Sequence, residues 1–465
     1  MRTMCPTKEN PSPLSHPLGL GALSVALALA LSGCAAWPPT AQLSSTAPVS
    51  STTANPLAQW WQKFNDPLLT TLVTKALQAN ASIRSAQAAL QQSRALRDVS
   101  AAGLLPTLSA AGSAQRARAN GGDASNSFRA GLDASWEPDI FGGQRSALNA
   151  AEADTQALQA TLADVQVSVA AEVALAYVQL RGQQAQLAIA RNNLASQQET
   201  LQITDWRAQA GLITSLEVEQ ARTASEQTSA QIPLLDAAIA KTSHGLAVLT
   251  GQRPEALLMQ LQSAQPIPQP TSTLALDIPA QTLRQRPDVR AAELRITAAL
   301  ARVSAADAAR YPGFAISGSL GLNALTLGAL GNSASLISSL LGSLSIPLFD
   351  GGARRAQVLA QEAALEQARA NYQTVMLSAL QDVADALVAL SGDRTRLTHL
   401  QGAAAAAANA DLLAQQRYRS GLIDFQTVLQ TQRTLLTTQD SVASSTADIS
   451  ADHVRLYKAL GGGWN

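Results

Sequence analysis

The residues of this chain best suited to chemistry are its cysteines and histidines, and their spacing limits what they could do. The two cysteines, Cys5 and Cys34, are too few for a disulfide framework or a zinc site. The histidines are spaced unlike metal ligands or catalytic groups, which favours surface or packing roles. They are His16, His244, His399 and His453. With no phosphate-binding loop and no nucleophile elbow, the sequence predicts neither an enzyme nor a metal site.

Cys34 follows a segment typical of bacterial export signals. Residues 18–31 (LGLGALSVALALAL) are apolar and follow a stretch that carries two basic residues. The run is too short for a bilayer-spanning helix, which needs about 20 residues, but it suits the apolar core of a signal peptide. It ends in LSGC at residues 31–34, which resembles the lipobox of bacterial lipoproteins. That resemblance implies removal of residues 1–33 and attachment of diacylglycerol and palmitate to Cys34.

Two further features favour lipid attachment over the alternative, an ordinary signal peptide with an incidental cysteine. Removal of residues 1–33 also removes Cys5 and leaves Cys34 as a lone thiol, which is a liability in an oxidising compartment unless it is modified. Ala35 follows it, and the absence of an aspartate there resembles signals sorted to the outer membrane. Residues 34–59, rich in Pro, Ser, Thr and Ala, are predicted to form a lipidated, flexible tether.

The composition indicates a chain built from long helices. Charged residues make up 14% and aromatic residues 4%, compared with about 25% charged residues in an average soluble domain. Alanine, glutamine, serine and leucine are abundant instead, and alanine, leucine and glutamine are good helix formers. The formal net charge of zero gives no electrostatic reason to expect binding to nucleic acid.

The chain is internally duplicated. Four pairs of matching segments occur in order at offsets of 206 to 210 residues: 80–87 with 286–293, 105–108 with 311–314, 138–145 with 347–354, and 210–213 with 420–423. A Pro- and Gln-rich stretch separates the two copies. We therefore predict, after the signal and the tether, a first repeat over residues 60–258, a linker over 259–278 and a second repeat over 279–465.

Each repeat contains two segments with strand periodicity. Apolar and polar residues alternate most clearly in residues 128–137 and 314–322. The predicted strands cover about residues 107–119, 127–137, 313–323 and 337–349. Their length suits tilted transmembrane strands, yet four strands cannot close a membrane barrel, which needs about eight. The chain is therefore predicted to oligomerise. The alternative is a soluble sandwich, and the rest of the chain offers no further strands for one.

Long helices are predicted to follow each pair of strands. Residues 144–209 contain no proline and one glycine, and residues 353–419 are again free of proline. A helix of that length would reach about 100 Å, which suits a tunnel wall crossing the periplasm. The chain then reverses at Gly211 and Gly421, where a positive φ is expected. Pro233 is predicted to interrupt and kink the first returning helix.

The chain resembles the TolC-type outer-membrane factors, in particular the lipoprotein branch that includes nodulation protein T. The resemblance covers about Trp60 to the C-terminus. It rests on five ordered motifs, which are 286–293 (RPDVRAAE), 311–314 (YPGF), 347–352 (PLFDGG), 418–421 (YRSG) and 456–464 (LYKALGGGW).

This resemblance implies a homotrimer in the cell outer membrane, with a twelve-stranded β-barrel above a periplasmic α-barrel. It implies a passive exit duct that exports drugs or other small toxic compounds. A periplasmic adaptor protein docks on the hairpin tips, and an inner-membrane transporter of the resistance-nodulation-division type drives export. The tip turns correspond to residues 210–214 and 420–424. The implied docking residues are Gly211, Leu212, Ile213, Gly421, Leu422 and Ile423.

The resemblance also places a periplasmic gate on the second hairpin, between Tyr418 and Arg433. Close relatives carry an aspartate in a LLDAQR stretch there, whereas residues 428–433 read VLQTQR and put Gln430 in its place. A gate that depends on a ring of aspartates is therefore not expected in this chain. We hypothesise instead that Asp424 and Arg433 form interhelical ion pairs that help to hold the closed state.

Two other classes of function fit part of the sequence. A structural or adhesive coiled-coil lipoprotein without a pore would not need the strand hairpins. The second alternative is a TolC-type channel for type I protein secretion or for another dedicated cargo. The sequence does not exclude it, because the duct is passive and the transporter selects the cargo.

Overall fold

The computed structural model describes residues 59–118, 123–270 and 284–462. The predicted signal peptide 1–33, the proposed lipidation residue Cys34 and most of the predicted tether lie outside the described residues. Part of the predicted linker 259–278 lies outside them as well.

Both halves of the chain contain the same series of elements, which is a helix, two strands and a pair of longer helices. The α-helices are α1 Pro67–Ala79, α2 Ala81–Ala102, α3 Gly143–Gln209, α4 Ser215–Leu249, α5 Leu258–Leu261, α6 Pro287–Ala308, α7 Ala353–Arg419 and α8 Phe425–Ala459. The strands are β1 Thr107–Ala117, β2 Ser125–Trp136, β3 Gly313–Ala324 and β4 Leu336–Ser345. The predicted fold class, mainly helical with a four-stranded β part, is confirmed.

The two repeats match in helix length as well as in order. Helices α2 and α6 each have 22 residues, α3 and α7 each have 67, and α4 and α8 each have 35. Stretches of α3 and α7 are apolar enough to cross a membrane by length and composition alone. At about 100 Å each, these helices are about three times as long as the apolar part of a bilayer is thick. Their apolar composition alone is therefore not evidence that these helices cross a membrane.

Both 67-residue helices begin in the same way. Gly142 and Gly352 precede them with φ values of 75° and 88°. The carboxylate of Asp139 accepts hydrogen bonds from the first backbone N–H groups of α3, at 3.0 and 2.8 Å. Asp350 accepts from N–H groups at the start of α7 at 2.9 and 3.1 Å. These carboxylates satisfy N–H groups that have no partner within the helix.

The structure corrects two local predictions. Helix α4 continues through Pro233, so the predicted interruption is wrong. Pro233 is exposed, so water can hydrate the backbone carbonyl that loses its hydrogen bond to the missing N–H of the proline. Packing of α4 against α3 stabilises the helix on both sides of the proline. Strand β4 ends at Ser345, not near residue 349. Pro347 has no N–H group to continue the ladder.

The four strands form one antiparallel sheet in the order β1-β2-β3-β4. Strands β2 and β3 join the repeats, from the Phe128–Ala324 pair to the Trp136–Ile316 pair. Strands β1 and β4 form the two edges, and neither edge has a partner strand among the described residues. A membrane cannot tolerate such open edges, because unpaired backbone groups cannot be hydrated there.

The main hydrophobic core lies where α1, α3, α4 and α8 meet. The ring of Trp60 stacks on that of Tyr457 at a centroid distance of 5.2 Å. Beside it, the buried guanidinium of Arg181 donates to the Tyr177 hydroxyl at 3.0 Å, which in turn donates to Asp66 at 2.7 Å. Burial and the bond to Asp66 raise the pKa of Tyr177 to about 12.

The RPD motif of the second repeat joins three helices at one point. Arg286 donates to the carbonyl of Ala459 at the end of α8, at 2.8 Å. It also forms ion pairs with Asp288 at 2.8 Å and with Asp382 of α7 at 3.0 Å. Gly461 has φ 71°, and a Cβ at this glycine would lie 3.2 Å from the Cα of Arg286. A glycine at position 461 therefore allows the backbone after α8 to pack directly against Arg286.

Candidate functional site at the helix-hairpin tips

The first hairpin tip is a tight turn between α3 and α4. Gly211 adopts φ 70°, which a residue with a Cβ rarely adopts. The N–H of Gly211 donates to the carbonyl of Ala208, and that of Leu212 to Arg207, both at 2.9 Å. The next helix starts at once, because the Glu217 carboxylate accepts from the Thr214 N–H at 3.0 Å.

The second tip, between α7 and α8, repeats this geometry. Gly421 has φ 74°, and its N–H donates to the Tyr418 carbonyl at 2.9 Å. Asp424 caps α8 and accepts hydrogen bonds from the side chain and the N–H of Thr427, at 2.6 and 2.9 Å. These bonds lower the pKa of Asp424 below its usual range.

The tip residues form a small apolar surface on each hairpin. Leu212 and Leu422 are 73% and 74% exposed, and Ile213 and Ile423 are half-buried beneath them. Leu212 and Leu422 occupy the same position of the two tips, and most of each side chain is accessible in the protomer.

The two tips are not equivalent outside these turns. The first hairpin exposes Trp206 and Leu216 to 59% and 64%. At the matching positions of the second hairpin, 210 residues later, the chain has Gln416 and Gln426. Close to its turn, the first hairpin therefore exposes two large apolar side chains that the second hairpin lacks at the matching positions.

Arg207 connects the two tips. Its guanidinium donates to the carbonyls of Tyr418 at 3.1 Å and Arg419 at 3.0 Å. It also lies 4.5 Å from the centre of the Tyr418 ring. Arg419 in turn contacts Glu199 of α3 at 3.3 Å. Together these contacts join the ends of α3 and α7.

The predicted gate residues occupy different environments. Tyr418 is buried, and its ring packs against Phe425 at a centroid distance of 5.4 Å. Gln430 and Arg433 are exposed. Within the described residues of one protomer, no ion pair joins Asp424 to Arg433, because the Asp424 carboxylate is used as the cap of α8. The hypothesised pair would therefore have to form between protomers.

Sequence reasoning missed two residues near the gate. One is Arg207, whose position in the last turn of a helix is ordinary in the sequence. The other is Asp411, which is buried and accepts hydrogen bonds from Gln415 at 2.8 Å and Thr431 at 3.3 Å. Burial raises the pKa of Asp411. It lies seven residues before Tyr418, which is two turns of α7 and places both residues on the same face of the helix. The sequence could therefore have predicted that Asp411 lies on the face that carries Tyr418.

A polar seam continues from the tips along α3 and α8. The side chain of Gln432 donates to Thr200 at 3.0 Å, and that of Asn193 donates to Gln439 at 3.0 Å. Farther from the tip, Gly182 allows closer contact, since a Cβ there would lie 3.0 Å from the Cβ of Ala447. Asn193 and Gln432 are buried, so these hydrogen bonds satisfy polar groups that would be costly to leave unpaired between the two helices.

The described part of the chain contains no cluster of three or more side chains suited to holding a metal ion. His453 is buried with its Nε2 atom 3.2 Å from Arg394, and burial lowers its pKa to about 4. This histidine is one of the buried polar residues of α8.

Comparison with known proteins matches this architecture. The sequence profile of the outer membrane efflux protein family matches residues 72–252 and 278–462. The toluene efflux pump outer membrane protein TtgF of Pseudomonas putida is 31% identical, over 95% of this chain and 97% of its own. Nodulation protein T of Rhizobium leguminosarum bv. viciae is 29% identical, over 88% and 85% of the two chains.

Solved structures share the fold over nearly the same length. The outer-membrane channel OprN superposes with a TM-score of 0.84 at 36% identity, over 88% of this chain and 93% of that one. Since the family profile matches both repeats, the chain belongs to the outer membrane efflux protein family and is a TolC-type outer-membrane efflux channel.

Proposed function

We propose that this chain is the lipid-anchored, homotrimeric exit duct of a tripartite efflux pump. The unpaired edges of its sheet support the proposal most strongly. Three copies would pair each β4 with the β1 of a neighbour and close a barrel of twelve strands. The long helices α3 and α7 would line the periplasmic tunnel beneath it.

The tips are the proposed docking surface for a periplasmic adaptor protein. They combine rigid turns with exposed leucines, at the ends of the hairpins farthest from the strands. The adaptor would connect the duct to an inner-membrane transporter of the resistance-nodulation-division type. The duct itself is passive, and the only covalent group proposed for it is the diacylglycerol and palmitate on Cys34.

Drugs or other small toxic compounds are the proposed cargo. Relatives that match over most of this chain are named for toluene and solvent efflux, and others for pyoverdine export. The alternative cargo is a secreted protein or another dedicated substrate, and susceptibility to small molecules separates the two.

The test is a susceptibility panel of solvents, dyes and drugs on a strain that lacks the gene. Deletion should sensitise cells to several unrelated compounds, and wild type should restore resistance. The variant L212N/L422N should fail to restore it, because it removes the exposed tip leucines without touching the turn glycines. Met259 is 90% exposed and distant in sequence from both tips, so M259Q is the matched control. A panel unchanged by deletion would favour a dedicated cargo.

We further propose that Arg433 and Asp424 of neighbouring protomers stabilise the closed gate. Asp424 stays exposed while it caps α8, and Arg433 is exposed as well, so both charges are accessible to a neighbouring protomer. The double variant R433A/D424A should then raise single-channel conductance. Unchanged conductance would refute the pair as part of the gate.

A further inference from the structure

The first hairpin of the sheet has one apolar face. Four successive pairs of β1 and β2 on that face are apolar or glycine: Leu108–Ala134, Ala110–Leu132, Gly112–Ala130 and Ala114–Phe128. The opposite face carries polar groups, among them Arg129 and Asp133, whose charged atoms lie 3.7 Å apart. In a membrane barrel around an aqueous duct, the apolar face is the one that contacts lipid.

Aromatic residues bound this apolar face at both ends of β2. Trp136, at the end that leads into α3, and Phe128 are eight residues apart, which is about 26 Å along a strand. The apolar band of outer-membrane barrels is about 25 Å tall and is bordered by aromatic girdles. Phe128 therefore indicates the outer boundary of the apolar band.

Arg116 lies just beyond that boundary on the lipid-facing side. It pairs with Asn126, one same-face step after the Ala114–Phe128 pair, which is about 7 Å along the strand. Arg118 comes two residues later, just past the end of β1. The Arg116 side chain is exposed, and it makes no hydrogen bond or ion pair with any residue that the structure describes.

An arginine at this depth, just beyond the apolar band, is placed to bind an anionic lipid headgroup. The planar guanidinium binds phosphate oxygens through two parallel hydrogen bonds, and the amide of Asn126 could add a third. The second hairpin offers nothing comparable, because residues 325–335 contain no lysine or arginine. A site on the first hairpin alone would recur three times around a trimer.

We propose that Arg116, Arg118 and Asn126 bind the phosphate groups of an outer-leaflet lipid headgroup. The site rests on the proposed duct, because it assumes that the sheet spans the outer membrane.

The test measures binding of the purified full-length protein in detergent to three probes. These are bisphosphorylated lipid A, the same lipid A after enzymatic dephosphorylation, and inorganic phosphate. Wild type should bind the phosphorylated lipid at least tenfold more tightly than the dephosphorylated one. R116Q/R118Q should lose this preference. R129Q should keep it, since Arg129 lies on the same hairpin but on the opposite face.

Equal binding of the two lipids by wild type would overturn the site. Complete displacement of the bound lipid by millimolar inorganic phosphate would also overturn it, because it would indicate a site for the phosphate ion alone. Conductance of the same preparations in planar bilayers tests the duct separately. A conducting protein without lipid preference would refute the site alone. A protein that never conducts, yet prefers phosphorylated lipid through these arginines, would refute the duct alone.

Discussion

The guanidinium of Arg207 lies 4.5 Å from the centre of the Tyr418 ring and donates a hydrogen bond to the Tyr418 carbonyl at 3.1 Å. The two residues are 211 positions apart and belong to the last turns of α3 and α7. Carbonyls at a helix C-terminus lack intrahelical partners and carry the negative end of the helix dipole, so a cation is favoured there. One side chain of the first hairpin therefore holds the end of the second, beside the predicted gate.

We predict that R207A favours the open state of the channel. Hydrogen bonds from a charged group contribute about 1.5–3 kcal/mol each, so losing them should shift the balance toward open by about tenfold or more. The measurement is single-channel conductance in planar bilayers. R417A is the matched control, because Arg417 occupies the equivalent position of the second hairpin and is exposed. Equal effects of the two substitutions would contradict a role for the Arg207 contacts.

We predict that Asp411 makes stability depend on pH. Burial raises its pKa, so the folded state binds this proton more tightly than the unfolded chain does. At low pH both states are protonated and the residue costs nothing. As pH rises through the unfolded value of about 3.9, folding must retain a buried carboxylate and stability falls, until the folded pKa is passed.

The measurement is the melting temperature of D411N and of wild type at a series of pH values. From about pH 3 to pH 7, the melting temperature of D411N should rise above that of wild type as the wild-type carboxylate loses its proton. E226Q, at an exposed glutamate of α4, should show no such change. A constant difference between D411N and wild type across this range would argue against a buried, titrating carboxylate.

The repeats, the long helices and the tips were predictable because local sequence specifies them. A tight reversal needs a glycine such as Gly211, and a 67-residue helix needs a stretch without proline such as 144–209. Arg207 and Asp411 were not predictable, since their roles come from packing between helices. Pro233 was mispredicted for a related reason: its effect depends on exposure and on support from α3, neither of which a local pattern contains.

We predict that adaptor binding depends mainly on the first hairpin tip. W206Q/L216Q gives this tip the residue types of the second, whose equivalents are Gln416 and Gln426. Burying a large apolar side chain contributes about 1.5–3 kcal/mol, so affinity for the purified adaptor should fall at least tenfold. Q416A/Q426A should change it less than threefold. Equal losses from both double substitutions would show that the adaptor does not distinguish the tips.

We predict that Cys34 carries the lipid and that the barrel does not depend on it. Cells given an alkyne-tagged palmitate should label the wild-type protein and C5S, because Cys5 is removed with the signal, but not C34S. Unlabelled wild type would mean that the LSGC stretch is an ordinary cleavage site. The acyl chains on Cys34 would anchor only the start of the tether, whereas a closed twelve-stranded barrel would be held in the membrane by its whole apolar band. C34S that reaches the outer membrane should therefore still conduct, and a non-conducting C34S trimer would assign the lipid a role in assembly.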